Sequence, residues 1–204
     1  MKSNLNSRKR KSTRIPGFDY SQPGSYFMTI CTKNRECLFG HIEDDKMFLN
    51  EAGKAVDMFW LEIPTHYPNV ILHEHIVMPN HVHGIIELTK EFGLESQEQV
   101  PSIGVQDIGV QNPEPLHSEP SPVSSLTPNK INKYQKIIPR SVGSIARGYK
   151  IGVTKWFREN TDIHAHWQRN FHEHIIRNAE EFDRIAQYIR INPFRWKEDK
   201  FYKE

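Results

Sequence analysis

Aromatic and β-branched residues recur through SYFMTIC from Ser25 and give way to the polar run KNRE, which predicts a first strand within residues 25–39. At residue 48 the period changes. Leu49, Ala52, Val56, Phe59, Trp60 and Ile63 have helical spacing, predicting a helix over 48–63 that Pro64 closes. VILHEHIVM (Val70–Met78) and HVHGIIEL (His81–Leu88) read as two strands joined at Pro79-Asn80, a hairpin. Further on, Val142, Ile145, Tyr149, Val153 and Trp156 form the stripe of an amphipathic helix starting at Ser141, with Arg147, Lys150, Lys155 and Arg158 on its other faces. Residues 166–176 predict another strand. Asn178, with Glu181 three positions later, has the form of an N-cap and capping box for a helix over 179–191 that Pro193 ends, with Phe182, Ile185 and Ile189 as its buried stripe. The order strand, helix, hairpin, helix, strand, helix predicts an α+β fold, a small antiparallel sheet flanked by helices.

Composition divides this pattern into parts. Residues 93–139 are rich in Ser, Pro, Gln, Asn and Glu and carry the tandem IGVQDIGVQ, so they read as a disordered insertion unable to bury its own core. The 204 residues otherwise suit one domain, 19–92 with 140–204, preceded by an arm at 1–18. A net charge of +2 conceals that arm's polarity: Lys2, Arg8, Lys9, Arg10, Lys11 and Arg14 occur within the first fifteen residues without an acidic one. Such a run is either a solubilising tail or a nucleic-acid arm. Cys31 and Cys37 form neither a disulfide framework nor a zinc knuckle, which fits a reducing cytoplasm. No segment approaches the roughly 18 consecutive apolar residues of a membrane span, and the expectation is a cytoplasmic protein with no membrane partner.

Histidine is the residue type with candidate chemistry. Positions i and i+2 of a strand share a face, so His81 and His83 would stand side by side and can together ligate one metal ion. The chain has eleven histidines and four HxH spacings (73/75, 81/83, 164/166, 172/174), which makes composition the competing explanation. Position favours 81/83, because that pair starts a strand at a turn, where side chains meet a substrate. His73 and His75 lie mid-strand and read as facing solvent or satisfied in the sheet. His174 precedes the last helix and is a candidate second-shell or phosphate contact. On that helix Tyr188 and Asn192 are four apart, one turn apart on a face away from the buried stripe. Trp156, Trp167, Phe171 and Trp196 can stack bases or pack the core.

Taken together, MPNHVHGII, HEHIIRN and YIRINP, in that order, resemble the HUH single-tyrosine transposases, in particular the REP-associated tyrosine transposases of bacteria. The resemblance extends to the opening RKSTRIPGFDYSQPGSYFMTICTKNRECLFG and covers nearly the whole chain outside the insertion, which departs from the usual pattern. It implies a ferredoxin-like HUH fold, metal ligands at His81, His83 and Asn192, a nucleophile at Tyr188, and Mg²⁺ or Mn²⁺ as cofactor. The implied activity is cleavage and rejoining of single-stranded or hairpin DNA, with palindromic repeats as the expected substrate, through a 5′-phosphotyrosine. Arg8, Lys9, Arg10, Lys11, Arg14, Arg147 and Lys150 then become expected DNA contacts, on a monomer or homodimer. The alternative is a domesticated repeat-DNA-binding protein that no longer cuts.

Overall fold

The computed structural model describes residues 14, 15, 17–90, 138–164 and 166–203. Arg8, Lys9, Arg10 and Lys11, and the expected insertion as far as residue 137, lie outside the described residues. The α+β architecture is as the pattern predicts. Strands β1 (Gly24–Cys31), β4 (Val70–Met78), β5 (His81–Leu88) and β6 (His172–Ile176) form one antiparallel sheet in the order β4-β5-β1-β6. A separate hairpin, β2 (Gly40–Glu43) and β3 (Lys46–Leu49), leads into helix α1 (Glu51–Leu61) and the short helix α2 (Ile63–His66). Helix α3 (Val142–Asn160) precedes β6, and α4 (Ala179–Ile191) follows it.

Each face of the sheet has its own core, as the two-residue period of a strand requires. One face buries Tyr26, Met28 and Ile30 of β1 with Val82 and Ile86 of β5 beneath Val56 and Trp60 of α1 and Ile145, Tyr149 and Val153 of α3. The other buries Ile85 and Ile176 against Ile185, Ala186 and Ile189 of α4, with Phe27, Ile76, Phe182 and Tyr188 around them. Val82 and His83 therefore point to opposite cores. Helix starts follow local chemistry: the side chains of Asn50, Ser141 and Asn178 accept hydrogen bonds from the amides of Gly53, Ser144 and Glu181. The capping box at α4 is not reciprocal, because the Glu181 carboxylate reaches past Asn178 to the Arg177 amide at 2.9 Å and to His174 at 2.8 Å.

Several sequence expectations are corrected. The β2–β3 hairpin fills the unassigned stretch between the expected strand and helix and takes in the first two residues of that helix, 48 and 49. Its turn is Asp44-Asp45, both at positive φ (47° and 59°), a geometry more familiar from Asn-Gly. Pro64 opens α2 instead of closing α1, since a proline in the first helical turn gives up no needed amide. Only 172–176 of the expected strand 166–176 pairs in the sheet. Upstream, Trp167 makes an isolated bridge to Thr32, and the polar run Gln168, Arg169, Asn170 has nothing to bury. Trp156, Trp167 and Phe171 pack partly buried against the larger core and Trp196 is buried, so all four serve as packing residues.

Gly84 shows how the histidine strand depends on the opposite core. The Trp60 ring lies where a Gly84 side chain would be, stacked on His75 at 5.9 Å between centroids and edge-on to Tyr149 at 5.4 Å. Gly84→Ala drives a methyl group into that fully buried indole. It is expected to cost about 1–3 kcal/mol, seen as a lowered Tm; an unchanged Tm would mean that the indole is free to step aside.

Candidate metal and nucleophile site

The four HxH spacings meet four different fates, and strand geometry decides three of them. Across 81/83 the β1–β5 register is unbroken, from Cys31↔His81 to Gly24↔Leu88, so both imidazoles emerge on the α4 face. Their centroids are 4.3 Å apart. In β4 a bulge between Leu72 and His75 sets two residues against one and turns 73 and 75 to opposite faces. His73 bonds Glu87 at 2.8 Å on the α4 side, and His75 bonds Asp57 at 2.9 Å under Trp60. The reading of these two as satisfied in the sheet agrees with their contacts. His166 stacks on Phe157 at 4.2 Å, and His164 is exposed. His172 and His174 share the α4 face of edge strand β6, both exposed.

His81 and His83 are fully buried, with Nδ1 tied down on each ring. Asn80 Oδ1 lies 2.9 Å from His81 Nδ1, and Thr29 Oγ1 lies 2.8 Å from His83 Nδ1. An Nδ1–H donated to those oxygens leaves the Nε2 lone pairs free and aimed at the end of α4. Burial holds the His81 imidazole down at about 4, helped by Lys200 and Arg35 and opposed by Asp199. His83 is likewise held well below its ordinary value, first by burial and then by His81 and Lys200. Both rings are neutral at pH 7, the state a metal ligand requires.

Helix α4 and the segment after it bring up oxygen. The Tyr188 phenol is 3.2 Å from His83 Nε2 and donates to Asp199 Oδ2 at 3.0 Å. Asn192 Nδ2 donates to the same oxygen at 2.9 Å, while Asp199 Oδ1 accepts from the Phe201 amide at 2.6 Å. Burial, then the Asp199 carboxylate, pushes the phenol well above its ordinary pKa, so it is protonated at rest. A cleft of about 360 Å³ lined by Tyr188, Ile191, Asn192, Arg195, Glu198, Asp199 and Lys200 leads to this point.

These donors fit a divalent cation. One ligand atom from each of His81, His83 and Asp199 lies within 4.8 Å of the others. His81 Nε2 and Asn192 Oδ1 are buried and have no hydrogen-bond partner among the described residues, which leaves their lone pairs available to an ion. Asp199 is the residue that sequence reasoning missed. It sits beyond the last helix with no motif around it, whereas Asn80 was visible as the neighbour of the histidine pair and read only as a turn.

The other expected site residues are dispersed. His174 bonds Glu181 and sits across from Phe27, one row along the sheet from His83. Arg14 forms a two-pronged ion pair with Glu173 and lies over the Tyr20 and Phe171 rings at 5.0 and 5.7 Å. Lys150 turns inward to the Gln168 carbonyl at 2.6 Å, and burial lowers it to about 8. Arg147 is exposed.

Comparison with known proteins adds two findings. The fold is that of a REP-associated tyrosine transposase solved bound to a REP hairpin, with a TM-score of 0.51 at 17% identity, covering 87% of this chain and 71% of that one. In sequence, the chain is 38% identical over 201 residues to an uncharacterised protein of Haemophilus influenzae Rd, covering 98% of this chain and 97% of the relative. It belongs to one family with that protein. No family model matches the chain.

Asn80 is the test of whether the site is built for ligation. It is fully buried, orients His81, and donates through Nδ2 to the carbonyls of Arg35 at 3.1 Å and Phe201 at 2.8 Å. Asn80→Ala is expected to weaken Mn²⁺ binding by about 10- to 100-fold, measured by calorimetric titration, together with a lower Tm. Unchanged affinity in a folded variant would deny His81 its role as a ligand.

Proposed function

We propose that the chain is a metal-dependent DNA strand transferase of the HUH single-tyrosine type, acting on single-stranded or hairpin DNA. The observation that carries this reading is the Tyr188 phenol at 3.2 Å from His83 Nε2, within a cluster of unshared imidazole and oxygen lone pairs. The likeness of fold to a transposase bound to a REP hairpin supports a palindromic DNA substrate. In this reading 19–92 and 140–204 form the catalytic domain, 1–18 is a basic arm to the DNA, and 93–139 is an insertion. Among the described residues no helix is long and apolar enough to cross a membrane.

The ligands would be His81 and His83 with an oxygen of Asp199 or Asn192. A divalent cation held there, Mg²⁺ or Mn²⁺, supplies withdrawal of charge from the scissile phosphate. The remaining work falls to the chain. A resting phenol with a raised pKa needs a proton acceptor at hand, and Asp199 Oδ2 at 3.0 Å is already its hydrogen-bond partner. As the proton passes to Asp199, the phenolic oxygen bonds to phosphorus and the bond from phosphorus to the 3′-oxygen breaks. The leaving oxygen takes up a proton and becomes a 3′-hydroxyl, and the 5′ end stays on Tyr188 as a phosphotyrosine. Phosphodiester energy is retained, so the hydroxyl of another strand can reverse the step and join new ends. The packing of Tyr188 beside Phe27, at 6.2 Å between centroids, holds the ring in line with His83.

Tyr188→Phe keeps that packing and removes only the phenolic oxygen. Incubated with hairpin DNA, the wild-type protein is expected to yield a covalent adduct that survives denaturation and maps to the Tyr188 peptide. Tyr188→Phe should yield no adduct and no cleavage while retaining the fold and most DNA affinity. EDTA should abolish cleavage and Mn²⁺ restore it. Asp199→Asn is expected to slow cleavage by at least about tenfold, and Asn192→Ala by less. A wild-type protein that binds the hairpin but never forms the adduct would return the chain to the binding-only reading.

A further inference from the structure

The basic residues near the site divide sharply. Arg190 is paired with Glu74, Arg184 with Glu181, and Arg195 with Glu198, each across 2.7–3.5 Å. Arg35 and Lys200 are different: both are exposed, and neither takes part in an ion pair among the described residues. They come from opposite ends of the chain and meet on one ring. The Arg35 guanidinium lies 5.4 Å and the Lys200 ammonium 4.7 Å from the centre of Phe201, whose ring is itself 4.8 Å from His81 and 5.9 Å from His83.

This convergence is built, not incidental. Arg35 donates from Nη1 to the Lys200 carbonyl at 2.7 Å. The Asn80 amide that orients His81 also donates to the carbonyls of Arg35 and Phe201, hanging both segments from one buried side chain. Asn34 and Arg35 are both in the left-handed region (φ 55° and 57°), a conformation that an arginine adopts only where its surroundings impose it. Lys200 also lines the cleft that holds Tyr188 and Asn192. An exposed ammonium lining that cleft and an exposed guanidinium, with donors to spare, held on the same residue's main chain have the chemistry of an anion site.

We propose that Arg35 and Lys200 form a phosphate-binding pair that grips a backbone phosphate flanking the one Tyr188 attacks. This rests on the strand-transfer reading for its substrate, and it makes the pair positioning residues that set where the strand lies over the imidazoles. An arginine fork fixes direction at a phosphate oxygen, and a lysine adds a movable charge beside it.

The test uses the full chain with Tyr188→Phe, so that binding is measured without chemistry, and a DNA hairpin with a single-stranded 5′ flank as probe. Over a series of NaCl concentrations, Lys200→Gln is expected to lower the slope of log K against log salt by about 0.7, and Arg35→Gln/Lys200→Gln by about 1.4. Arg35→Lys/Lys200→Arg keeps both charges and should keep the slope, a result that a merely structural role for the pair would not give. Replacing single phosphates of the flank by neutral methylphosphonates should weaken the Tyr188→Phe protein at one or two linkages and leave the double Gln variant indifferent there. Lys200→Gln is the variant that cannot be dismissed as misfolded, since Lys200 is exposed and accepts its hydrogen bond through its main chain. An unchanged slope and unchanged methylphosphonate pattern in that variant overturn the proposal. If the protein with Tyr188 intact cleaves while the slopes are unchanged, the phosphate pair falls and the reaction stands. If the slopes drop but no adduct forms, the pair stands and the reaction falls.

Discussion

The unbroken ladder between β1 and β5 is the constraint from which the site follows. Eight residue pairs in register keep the two-residue period intact to the end of the strand, so His81 and His83 must share a face and must lie beside Thr29. One bulge would separate them, as the bulge in β4 separates His73 from His75. The same register sends Val82 and Gly84 into the opposite core, where Trp60 occupies the space that Gly84 leaves. Imidazole geometry on one face is thus held by packing on the other.

What the ladder brings together, burial makes chemically distinctive. Two imidazoles removed from water cannot carry charge at neutral pH, so they stay as lone-pair donors. The phenol beside them is suppressed in the opposite sense, kept protonated by burial and a neighbouring carboxylate. Neutral imidazoles, a protonated phenol and buried ligand atoms without partners among the described residues leave a cluster whose donors fit a cation. Arg35 and Lys200 are attached through Asn80 to the same turn that starts the histidine strand.

Much of this was legible in the amino-acid order. Local patterns and turn signals located the strands Val70–Met78 and His81–Leu88 and the helix Ala179–Ile191, because those signals are carried by neighbouring residues. The i, i+2 spacing of His81 and His83 and the i, i+4 spacing of Tyr188 and Asn192 marked candidate chemistry for the same reason. Less legible were β2 and β3, short and joined by an unusual Asp-Asp turn, and the upper part of 166–176, where edge pairing ended early. Asp199, Arg35, Lys200 and the role of Asn80 left no local trace. Arg35 meets the Lys200 carbonyl across 165 positions of chain and Asn80 meets that of Phe201 across 121, and no periodicity encodes a contact of that range. Which histidine pairs share a face, which cations are neutralised and which oxygens reach the imidazoles were decided by tertiary structure, since register, burial and charge pairing exist only once distant segments have packed.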